Sequence, residues 1–594
     1  MDITNLPVDQ LLQKRKRFRR ELTAAADAPV RIAVLGGVTT NELVDLLELV
    51  LLAQGLRPEF YQSEYNKYYD DAVLEPEKIR AFQPDIVYVC VHWKNIVRFP
   101  AVGATESEYR TLLDAEVNRF RAIWASLHDH VGCQIIQNNF ELPPLGILGN
   151  LDAVDYGGRV RFVQELNLEF AKAAKADRRL LLCDLGSLSA RVGHRQWFDL
   201  SRWYNYKLMI TPEASLELAK SLGAMICALR GKAKKCLVLD LDNTLWGGVI
   251  GDDGVERIQI GKETPLGEAY TGFQEYCREL RRRGVLLAIS SKNDPDVARA
   301  AFSHPDMVLK LHDFAAFRAN WEPKHDNIKS IAEELNLGLD SFVFVDDNPA
   351  ERALVAAQLP AVFVPDVGSD VTRYAEILQA TYRFETVSLS GEDLQRAESY
   401  AANAARGAMQ SKFSDYGAYL DSLEMKAEIG DLAPLHLDRI TQLTNKTNQF
   451  NLTTQRYTFA EIQEISTSDR HVAIYGRLED AFGDNGLVSV IIGRLQGVEL
   501  HLDLWIMSCR VLKRDMEVAM LDTLVEKARA LGAERLIGYY LPTPKNGVVE
   551  DHYGKLGFTL MSAEDGGART VWALDIASYT PANRHLQIRS LVHG

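Results

Sequence analysis

The chain of 594 residues is too long for a single hydrophobic core, so we expect three or four domains. Its composition, 47% hydrophobic and 25% charged residues, is ordinary for a soluble globular protein. The net charge of -14 argues against general nucleic-acid binding, because a phosphate backbone is held by clustered lysine and arginine. An acidic carrier-type partner would need a local basic patch, which the total charge does not reveal.

Seven cysteines are scattered along the chain without C-x-x-C spacing, which predicts neither a zinc site nor a disulfide framework. No apolar run approaches the roughly 18 residues of a membrane-spanning helix, so no membrane partner is expected. Residues 1–23 have the pattern of a basic amphipathic helix rather than of a secretion signal. These observations predict a protein of the reducing cytoplasm.

Residues 1–230 alternate short apolar runs with helical patterns. The helical pattern is clearest in TNELVDLLELVLLAQGL, and the predicted strands are RIAVLGG, DIVYVCV, GCQIIQNN and RLLLCDL. Strands separated by helices imply a parallel sheet that is covered on both faces. The predicted class of this first domain is therefore α/β.

A second α/β domain is predicted over residues 231–390, with strands in CLVLDLD, VLLAISS and SFVFVDD and a close near AVFVPD. Residues 391–430, rich in Ala, Ser, Glu and Arg, predict linking helices. Over residues 431–580 the pattern changes to hairpin-like strands followed by the helix DMEVAMLDTLVEKARALGA. We interpret that change as the start of a third domain, of α+β type.

Polar residues follow three predicted strands of the second domain. Ligands collect at the carboxyl ends of strands in an open parallel sheet, so these residues should converge on one crevice. The candidate residues are Asp240 and Asp242 after the first strand, Ser290, Ser291 and Asn293 at the second, Asp346 and Asp347 at the third, and Lys324 before a helix.

Carboxylates at two strand ends suit a Mg2+ ion, a hard cation that prefers oxygen ligands. A carboxylate beside such an ion can attack phosphorus, and a second one two residues on can transfer the proton of the leaving oxygen. Each piece alone has a plainer interpretation: a helix cap for the first pair, a turn for Asp346-Asp347 and a surface residue for Lys324. The ordered set is the stronger signal, since a strand precedes each acidic or serine member. The successive spacings from Asp240 to Ser291, to Lys324 and to Asp346 are 51, 33 and 22 residues.

This ordered set resembles the four motifs of the haloacid dehalogenase (HAD) phosphotransferase superfamily. The resemblance implies that Asp240 is the nucleophile and Asp242 the general acid and base. It implies that Ser291 (or Ser290), with Asn293 and Lys324, holds the transferred phosphate. The metal would be held by Asp240, Asp242 and Asp346, with Asp347 at or behind its shell. The short spacings leave no room for a cap domain, so the crevice should admit a macromolecular or tethered substrate.

Longer strings resemble the FkbH-like branch of that superfamily over roughly residues 230–580. They are LVLDLDNTLWGGVIGDDG, SSKND, WEPKHDNIKSIAEELNLG and VFVDDNPAER, with LTNKTNQFNLTTQRYT and DAFGDNGLVSV in the third domain. The resemblance implies an enzyme that takes the glyceryl unit of 1,3-bisphosphoglycerate and removes its remaining phosphate. The three-carbon unit would pass to the phosphopantetheine thiol of an acyl carrier protein and feed polyketide or related natural-product assembly.

One position departs from that branch, in which a cysteine that could hold the acyl group often precedes the Ser-Lys-Asn string. Here the position is Ser290, and a serine hydroxyl is a far poorer nucleophile than a thiol at neutral pH. Cys236 is expected to lie in the core, roughly 13 Å along the strand from Asp240. Acyl transfer is then direct, or uses another thiol, or the enzyme is a phosphatase on an already tethered phosphoester.

The flanking domains show weaker resemblances. RIAVLGGVTT resembles the first block of SGNH-type hydrolases, but Val38 stands where their nucleophilic serine would be. Asn138-Asn139 resembles a later block, and no Asp-x-x-His motif is evident, so we expect a degenerate hydrolase fold used for docking or positioning.

The third domain resembles GNAT acyltransferases through Asn546 and the Tyr553 of YGKLGF. Their diphosphate-binding loop is altered here to RVLKRD, which begins at Arg510 and has Lys513 and Asp515 at the two glycine positions. A negative charge at Asp515 opposes a phosphate, so a pantetheine arm without the diphosphate fits this loop better than free CoA.

Three functions are open at this point. The first is the glyceryl transferase and phosphatase just described. The second is a plain HAD-type phosphatase acting on a sugar or another small phosphorylated metabolite. The third is an inactive scaffold that binds a carrier protein, although a scaffold has no need of two adjacent carboxylates at a strand end.

Overall fold

The computed structural model describes residues 3, 6–24, 26, 28–410, 412–508, 511–543, 545–564 and 569–590. The chain forms two compact units, Met1–Ala228 and Leu229–Gly594. Each unit contains parallel strands, and the predicted multidomain α/β class is confirmed. The finer boundaries at residues 230, 390 and 430 stay predictions. Among the described residues, no helix is long and apolar enough to cross a membrane.

The first unit is built on a parallel sheet of five strands in the order β2-β1-β3-β4-β5. The strands are β1 Ala28–Gly36, β2 Leu56–Gln62, β3 Ile86–Cys90, β4 Gln134–Asn138 and β5 Leu180–Cys183. Every residue of β3 is buried, which shows that both faces of the sheet are covered. Strand β2 escaped the sequence prediction, because it is an edge strand with Pro58 and several exposed side chains.

The helices of the first unit connect these strands. They are α1 Val8–Gln13, α2 Arg15–Thr23, α3 Asn41–Ala53, α4 Glu77–Phe82, α5 Glu106–His130, α6 Arg159–Ala176, α7 Leu185–Val192, α8 His194–Trp197, α9 Leu200–Tyr206 and α10 Pro212–Leu229. The predicted N-terminal amphipathic helix is divided into α1 and α2 at Lys14.

The second unit begins with a parallel sheet of four strands in the order β8-β7-β6-β9. The strands are β6 Cys236–Leu239, β7 Leu286–Ser291, β8 Phe314–Ala319 and β9 Phe342–Val345. The helices are α11 Ile250–Asp253, α12 Pro265–Arg282, α13 Pro295–Ala301, α14 Lys324–Glu334, α15 Pro349–Gln358 and α16 Tyr374–Ala380. The sequence AVFVPD, predicted to close this sheet, contributes a single bridge between Phe363 and Val343.

Three helices follow, α17 Gly391–Leu394, α18 Arg396–Gln410 and α19 Tyr416–Ser422. The remaining strands form a mixed eight-stranded sheet in the order β15-β16-β14-β13-β12-β11-β10-β17. They are β10 Lys426–Asp431, β11 His471–Asp480, β12 Gly483–Gln496, β13 Glu499–Met507, β14 Arg535–Tyr540, β15 Thr559–Glu564, β16 Arg569–Asp575 and β17 Gln587–Ser590. The helices with them are α20 Leu437–Lys446, α21 Phe459–Ser466, α22 Met516–Ala530 and α23 His552–Lys555.

A buried ion network joins helix α18 to this sheet. Arg406 of α18 donates to Asp480 at the end of β11 over 2.7 Å, and Arg514 donates to the other oxygen of Asp480 over 2.9 Å. Asn403 of α18 accepts a second bond from Arg514. The DAFGDNG string, which begins at Asp480, therefore anchors the linking helix and the loop before α22.

Candidate active site

Parallel pairing brings the three predicted strand ends to one edge of the four-stranded sheet. Leu239, the last residue of β6, pairs with Ile289 of β7 on one side and with Val345 of β9 on the other. The residues that follow each strand are consequently neighbours. Lys324 reaches the same edge as the first residue of α14, which comes after β8.

Three carboxylates lie together at this edge. Each of Asp240, Asp346 and Asp347 offers an oxygen, and these oxygens lie within 4.8 Å of one another. The Lys324 ammonium is 2.9 Å from Asp240 Oδ1 and also forms a short contact with Asp346. Asp240, Asp346 and Lys324 are buried, so little water screens the cluster.

The neighbouring charges and the burial of the cluster shift the pKa values of Lys324, Asp346 and Asp347. Burial lowers the pKa of the Lys324 ammonium, but Asp240 and Asp346 outweigh burial and raise that pKa above its usual range. Burial, and next the charge of Asp240, raises the pKa values of Asp346 and Asp347. One ammonium does not balance three carboxylates. A Mg2+ ion, which takes oxygen ligands, fits this donor set.

The Asp242 side chain binds neutral hydrogen-bond donors, unlike Asp240 and Asp346, which contact the Lys324 ammonium. Its Oδ1 accepts hydrogen bonds from the Trp246 indole over 2.9 Å and from the Ile250 backbone N–H over 3.0 Å. Its Oδ2 accepts a bond from the Asn293 amide over 2.8 Å. The sequence prediction counted Asp242 among the metal ligands. The structure places its side chain outside the group of three, because both of its oxygens have these other partners.

The two serines of β7 point to different surroundings, as alternate residues of a strand do. Ser291 Oγ accepts a weak bond from the Asn293 amide over 3.4 Å, and so lies beside Asp242. Ser290 is fully buried, and its hydroxyl has no hydrogen-bond partner among the described residues. Of the two phosphate-binding candidates, Ser291 is the one placed at the site.

Comparison with solved structures matches the chain to the N-terminal part of the protein BF1531 from Bacteroides fragilis, described as containing a phosphatase domain complexed with Mg. The two are 32% identical, the match covers 63% of this chain and 99% of that one, and the TM-score is 0.58. The chain belongs to this family of HAD-type phosphatase-domain proteins. No protein-family model matches the chain, and no curated protein is similar enough to be matched.

Acetyltransferases are matched over a smaller part of the chain. The ribosomal-protein-S18-alanine N-acetyltransferase from Escherichia coli is 13% identical over 27% of this chain and 99% of that one, with a TM-score of 0.21. An aminoglycoside 6'-N-acetyltransferase complexed with coenzyme A is 14% identical. That match covers 25% of this chain and 96% of the acetyltransferase, also with a TM-score of 0.21. Likeness at this level leaves the ligand of the third domain untested.

The HAD domain has no inserted lid. The chain from Asp240 to Ser291 forms α11 and α12, and the chain from Ser291 to Lys324 forms α13 and β8. Trp321, three residues before Lys324, is 75% exposed at the same edge of the sheet. This exposed indole close in sequence to Lys324 is a feature that the sequence prediction did not single out.

Two further residues of the HAD domain escaped the prediction. Trp246 positions Asp242, and Thr244 accepts a bond from the Asp347 backbone N–H over 3.2 Å, which ties β6 to the end of β9. Both stand in the string DNTLW directly after the aspartate pair. The sequence did offer a signal for them. Two neighbouring carboxylates need hydrogen-bond donors, and an indole and a hydroxyl stand within a few residues of this pair.

The expectation for Cys236 is met, since this residue lies in the core of the HAD domain. Every described cysteine is buried, which excludes a solvent-exposed thiol in the part of the chain that the structure covers. Burial also raises the pKa of the Cys90 and Cys133 thiols to about 12, far from a nucleophilic thiolate. The seventh cysteine, Cys509, lies outside the described residues.

In the third domain, Asn546 and Tyr553 are both buried. Asn546 donates to the carbonyls of Asn451 and Leu541, each over 2.9 Å, and so braces the loop after β14. Tyr553 packs against the aromatic core, including Trp505. Arg510, the other residue predicted for the acyl or pantetheine region, lies outside the described residues. A ligand-binding role for these three stays a prediction.

The altered loop has two residues in a backbone conformation that is typical of glycine. Lys513 and Asp515, at the two glycine positions, have φ values of 63° and 56°, in the left-handed region that favours glycine. Arg514 between them turns inward to Asp480. The cation that would help to hold a diphosphate is therefore engaged in the ion network with α18.

In the first unit, Val38 is buried after β1, at the position of the missing serine. Asn138 is also buried, and it binds both the N–H and the C=O of Val91. It therefore braces the chain after β3. The His92 ring contacts the buried carboxylate of Glu141 in the same region. The prediction of a degenerate hydrolase fold is compatible with this bracing and stays a prediction.

Proposed function

We propose that the chain is a Mg2+-dependent phosphatase that works through a phosphorylated Asp240. The observation that carries the proposal is the buried group of Asp240, Asp346 and Asp347 with Lys324 2.9 Å from Asp240. Membership of a family that includes a Mg-complexed phosphatase domain supports it. When bound, Mg2+ would be held by these three carboxylates and would offset the negative charge of the transferred phosphoryl group.

The residues have defined tasks in this mechanism. An Asp240 oxygen attacks phosphorus, the new P–O bond forms, and the bond to the leaving oxygen breaks. Asp242 in its protonated form gives that oxygen its proton, and burial favours this form by raising the pKa of Asp242. Asp242 then takes a proton from water, whose oxygen attacks phosphorus and releases phosphate from Asp240. Lys324 and Ser291 hold the phosphoryl oxygens.

We further propose that the substrate is derived from 1,3-bisphosphoglycerate and that the glyceryl group is loaded onto a phosphopantetheinylated acyl carrier protein. The carrier thiol would attack the acyl phosphate, forming the C–S bond as the C–O bond to phosphate breaks and losing its proton. The strings shared with the FkbH-like branch support this, as does the absence of a lid over the HAD site. Ser290, in place of a cysteine, favours direct transfer over an enzyme-bound thioester.

A second candidate is a phosphatase that acts on a phosphoester without any acyl transfer. The observation that favours it is the burial of every described cysteine, since none of these thiols is placed to hold an acyl group. Both candidates use the same metal site and the same Asp240.

The deciding experiment is intact-mass measurement of the chain and of a phosphopantetheinylated carrier after incubation with 1,3-bisphosphoglycerate and Mg2+. The expected result is a glyceryl mass on the carrier, absent with EDTA and with Asp240→Asn. Phosphate release without any acyl mass would leave the phosphatase and remove the carrier-loading claim. Removal of the remaining phosphoester phosphate that persists in Asp240→Asn would contradict the mechanism itself.

A further inference from the structure

Exposed apolar side chains of the first unit concentrate at the carboxyl edge of its sheet. Val97 and Leu145, from two loops, and Tyr204, from helix α9, are 74%, 70% and 67% exposed. These side chains and the cations between them form what we call the carboxyl-edge surface. Its residues are Lys94, Val97, Arg98, Val102, Leu145, Ile147, Leu151, Val154, Arg159, Leu200, Trp203, Tyr204, Tyr206 and Lys207. All of these residues lie in the segments that follow β3, β4 and β5. Large exposed apolar patches on soluble proteins mark interaction sites.

The loop that displays Leu145, Ile147, Leu151 and Val154 is internally braced. The buried Asp152 carboxylate accepts three backbone N–H groups, from Ile147 over 3.2 Å, from Leu148 over 3.3 Å and from Val160 over 2.8 Å. The apolar side chains are thus held outward by a defined backbone, at the cost of burying a carboxylate. A loose loop exposing the same residues would need no such brace.

The braced loop is continuous with the segment after β3. Gly157 lies against the backbone of Ala101 and Val102, where a Cβ would be 2.8 Å from a carbonyl oxygen. Arg159 lies over the Phe99 ring at 5.4 Å, and Phe99 contacts Trp93. The two loops therefore form one surface.

Helix α9 completes that surface through an aromatic cluster around Lys94. The Lys94 ammonium lies 5.0 Å from the ring centre of Trp93, 5.2 Å from that of Trp203 and 5.4 Å from that of Tyr204. The Lys207 ammonium lies 5.4 Å from the Trp203 ring. Cations held over rings keep their charge while their apolar surroundings exclude water.

The surface is positive although the chain carries a net charge of -14. Within the described residues, no ion pair involves Lys94, Arg98, Arg159 or Lys207. Three carboxylates of the same segments accept backbone N–H groups instead: Asp152 braces its loop, and Asp184 and Asp199 cap helices α7 and α9. A fourth, Glu141, is buried against the His92 ring. This is the local basic patch that an acidic partner requires.

We infer that the carboxyl-edge surface docks an acidic partner protein through its unpaired cations and the exposed apolar side chains between them. The choice of the acyl carrier protein as that partner rests on the proposed carrier-loading function. The cations steer an acidic protein toward the surface, and the tyrosines and the braced leucines supply the apolar contact.

The test uses the full chain and, as probe, the fluorescently labelled carrier that the wild-type chain loads. The variant Lys94→Glu/Lys207→Glu reverses two charges of the surface. We expect its Kd for the carrier to rise about tenfold or more, while wild-type binding weakens as salt is added. Leu145→Ser/Leu151→Ser should also raise the Kd, without changing the salt dependence.

The matched control is Lys172→Glu/Lys175→Glu, which makes the same charge change at the far end of α6. Its Kd should equal that of the wild type. All variants should keep wild-type phosphatase activity on a small aryl phosphate, which is a property of the second unit. Circular dichroism and thermal unfolding of each variant check that the first unit is still folded.

Three results would overturn the inference. If the surface variants bind the carrier as the control does, the docking surface is wrong and the proposed function stands. If the wild type neither binds nor loads a phosphopantetheinylated carrier, both the docking surface and the proposed carrier loading fail, and the phosphatase remains. If the variants instead change the oligomeric state in sedimentation, a second copy of the chain occupies the surface.

Discussion

At the scale of single residues, Asp240 and Asp242 differ in their partners more than in their position. Asp240 faces Lys324 and two further carboxylates, whereas Asp242 is surrounded by three neutral hydrogen-bond donors. Burial raises the pKa of Asp242 and outweighs the opposing effect of its three hydrogen-bond donors, which favours the protonated form that can act as an acid. The two roles follow from these surroundings.

Trp246→Phe tests whether the indole positions Asp242. The substitution keeps an aromatic ring in the core but removes the N–H that lies 2.9 Å from Asp242, together with part of the buried indole volume. We expect kcat on an alkyl phosphate to fall by about tenfold, because an alkoxide needs the proton that Asp242 delivers. KM should change little. On an aryl phosphate with a good leaving group, the pre-steady-state rate of Asp240 phosphorylation should stay within about twofold, because this step needs no proton from Asp242.

The control is Trp321→Phe, at an indole that is 75% exposed and does not contact Asp242 in the described structure. It should leave the ratio of alkyl to aryl rates unchanged. An equal loss of both rates in Trp246→Phe would show that the indole only supports the packing of the domain.

At the scale of elements, α18 is bound to the eight-stranded sheet through residues that are far apart in sequence. Its residue Arg406 shares the buried Asp480 with Arg514, which belongs to the loop before α22. Burying two guanidinium groups and one carboxylate costs desolvation energy, and the cost is offset only when all partners are present. The helix, the β11–β12 hairpin and the loop are therefore expected to order together.

Asp480→Asn should consequently destabilise the second unit by about 3 to 5 kcal/mol, because two buried cations lose their shared charge. Urea unfolding followed by tryptophan fluorescence measures this. Asp484→Asn is the matched control, four residues away, where the ion pair with Arg477 is exposed. That variant should lose less than about 1 kcal/mol. Equal effects of the two substitutions would argue against the network as an anchor.

At the scale of the whole molecule, the chain has two compact units, and the proposed chemistry and the inferred docking surface lie on different ones. The HAD site uses residues of Leu229–Gly594 alone. The carboxyl-edge surface uses residues of Met1–Ala228 alone. Catalysis on a small substrate and recognition of a large one are thus separable properties.

We expect a chain cut after Leu229, the last residue of α10, to show this separation. Residues 230–594 should retain phosphatase activity on an aryl phosphate within about threefold, because a unit with its own core can fold alone. The same fragment should lose binding of the labelled carrier, which residues 1–229 should retain. Loss of aryl-phosphate activity in a fragment that circular dichroism shows to be folded would contradict the assignment of the site to one unit.

Much of this architecture was predictable from local pattern. The apolar parts of CLVLDLD and SFVFVDD, which are CLVL and FVFV, form fully buried parallel strands. Their continuous apolar character was therefore a reliable signal. The strands β2 and β8 were missed because they lie at sheet edges, where exposed side chains break that character. The site residues of the HAD domain followed from motif order, since polar residues at the ends of parallel strands converge for topological reasons.

The sequence by itself determined the α/β class, the HAD resemblance and the carboxylates that gather at one sheet edge, because these depend on local pattern and on strand direction. Only the tertiary structure decided how each group is used. It placed the Asp242 side chain apart from the group of Asp240, Asp346 and Asp347, put Ser291 rather than Ser290 beside Asp242, and turned Arg514 toward Asp480. It also assembled the carboxyl-edge surface, because the partners of these side chains come from segments distant in sequence, and a contact of that kind leaves no local pattern.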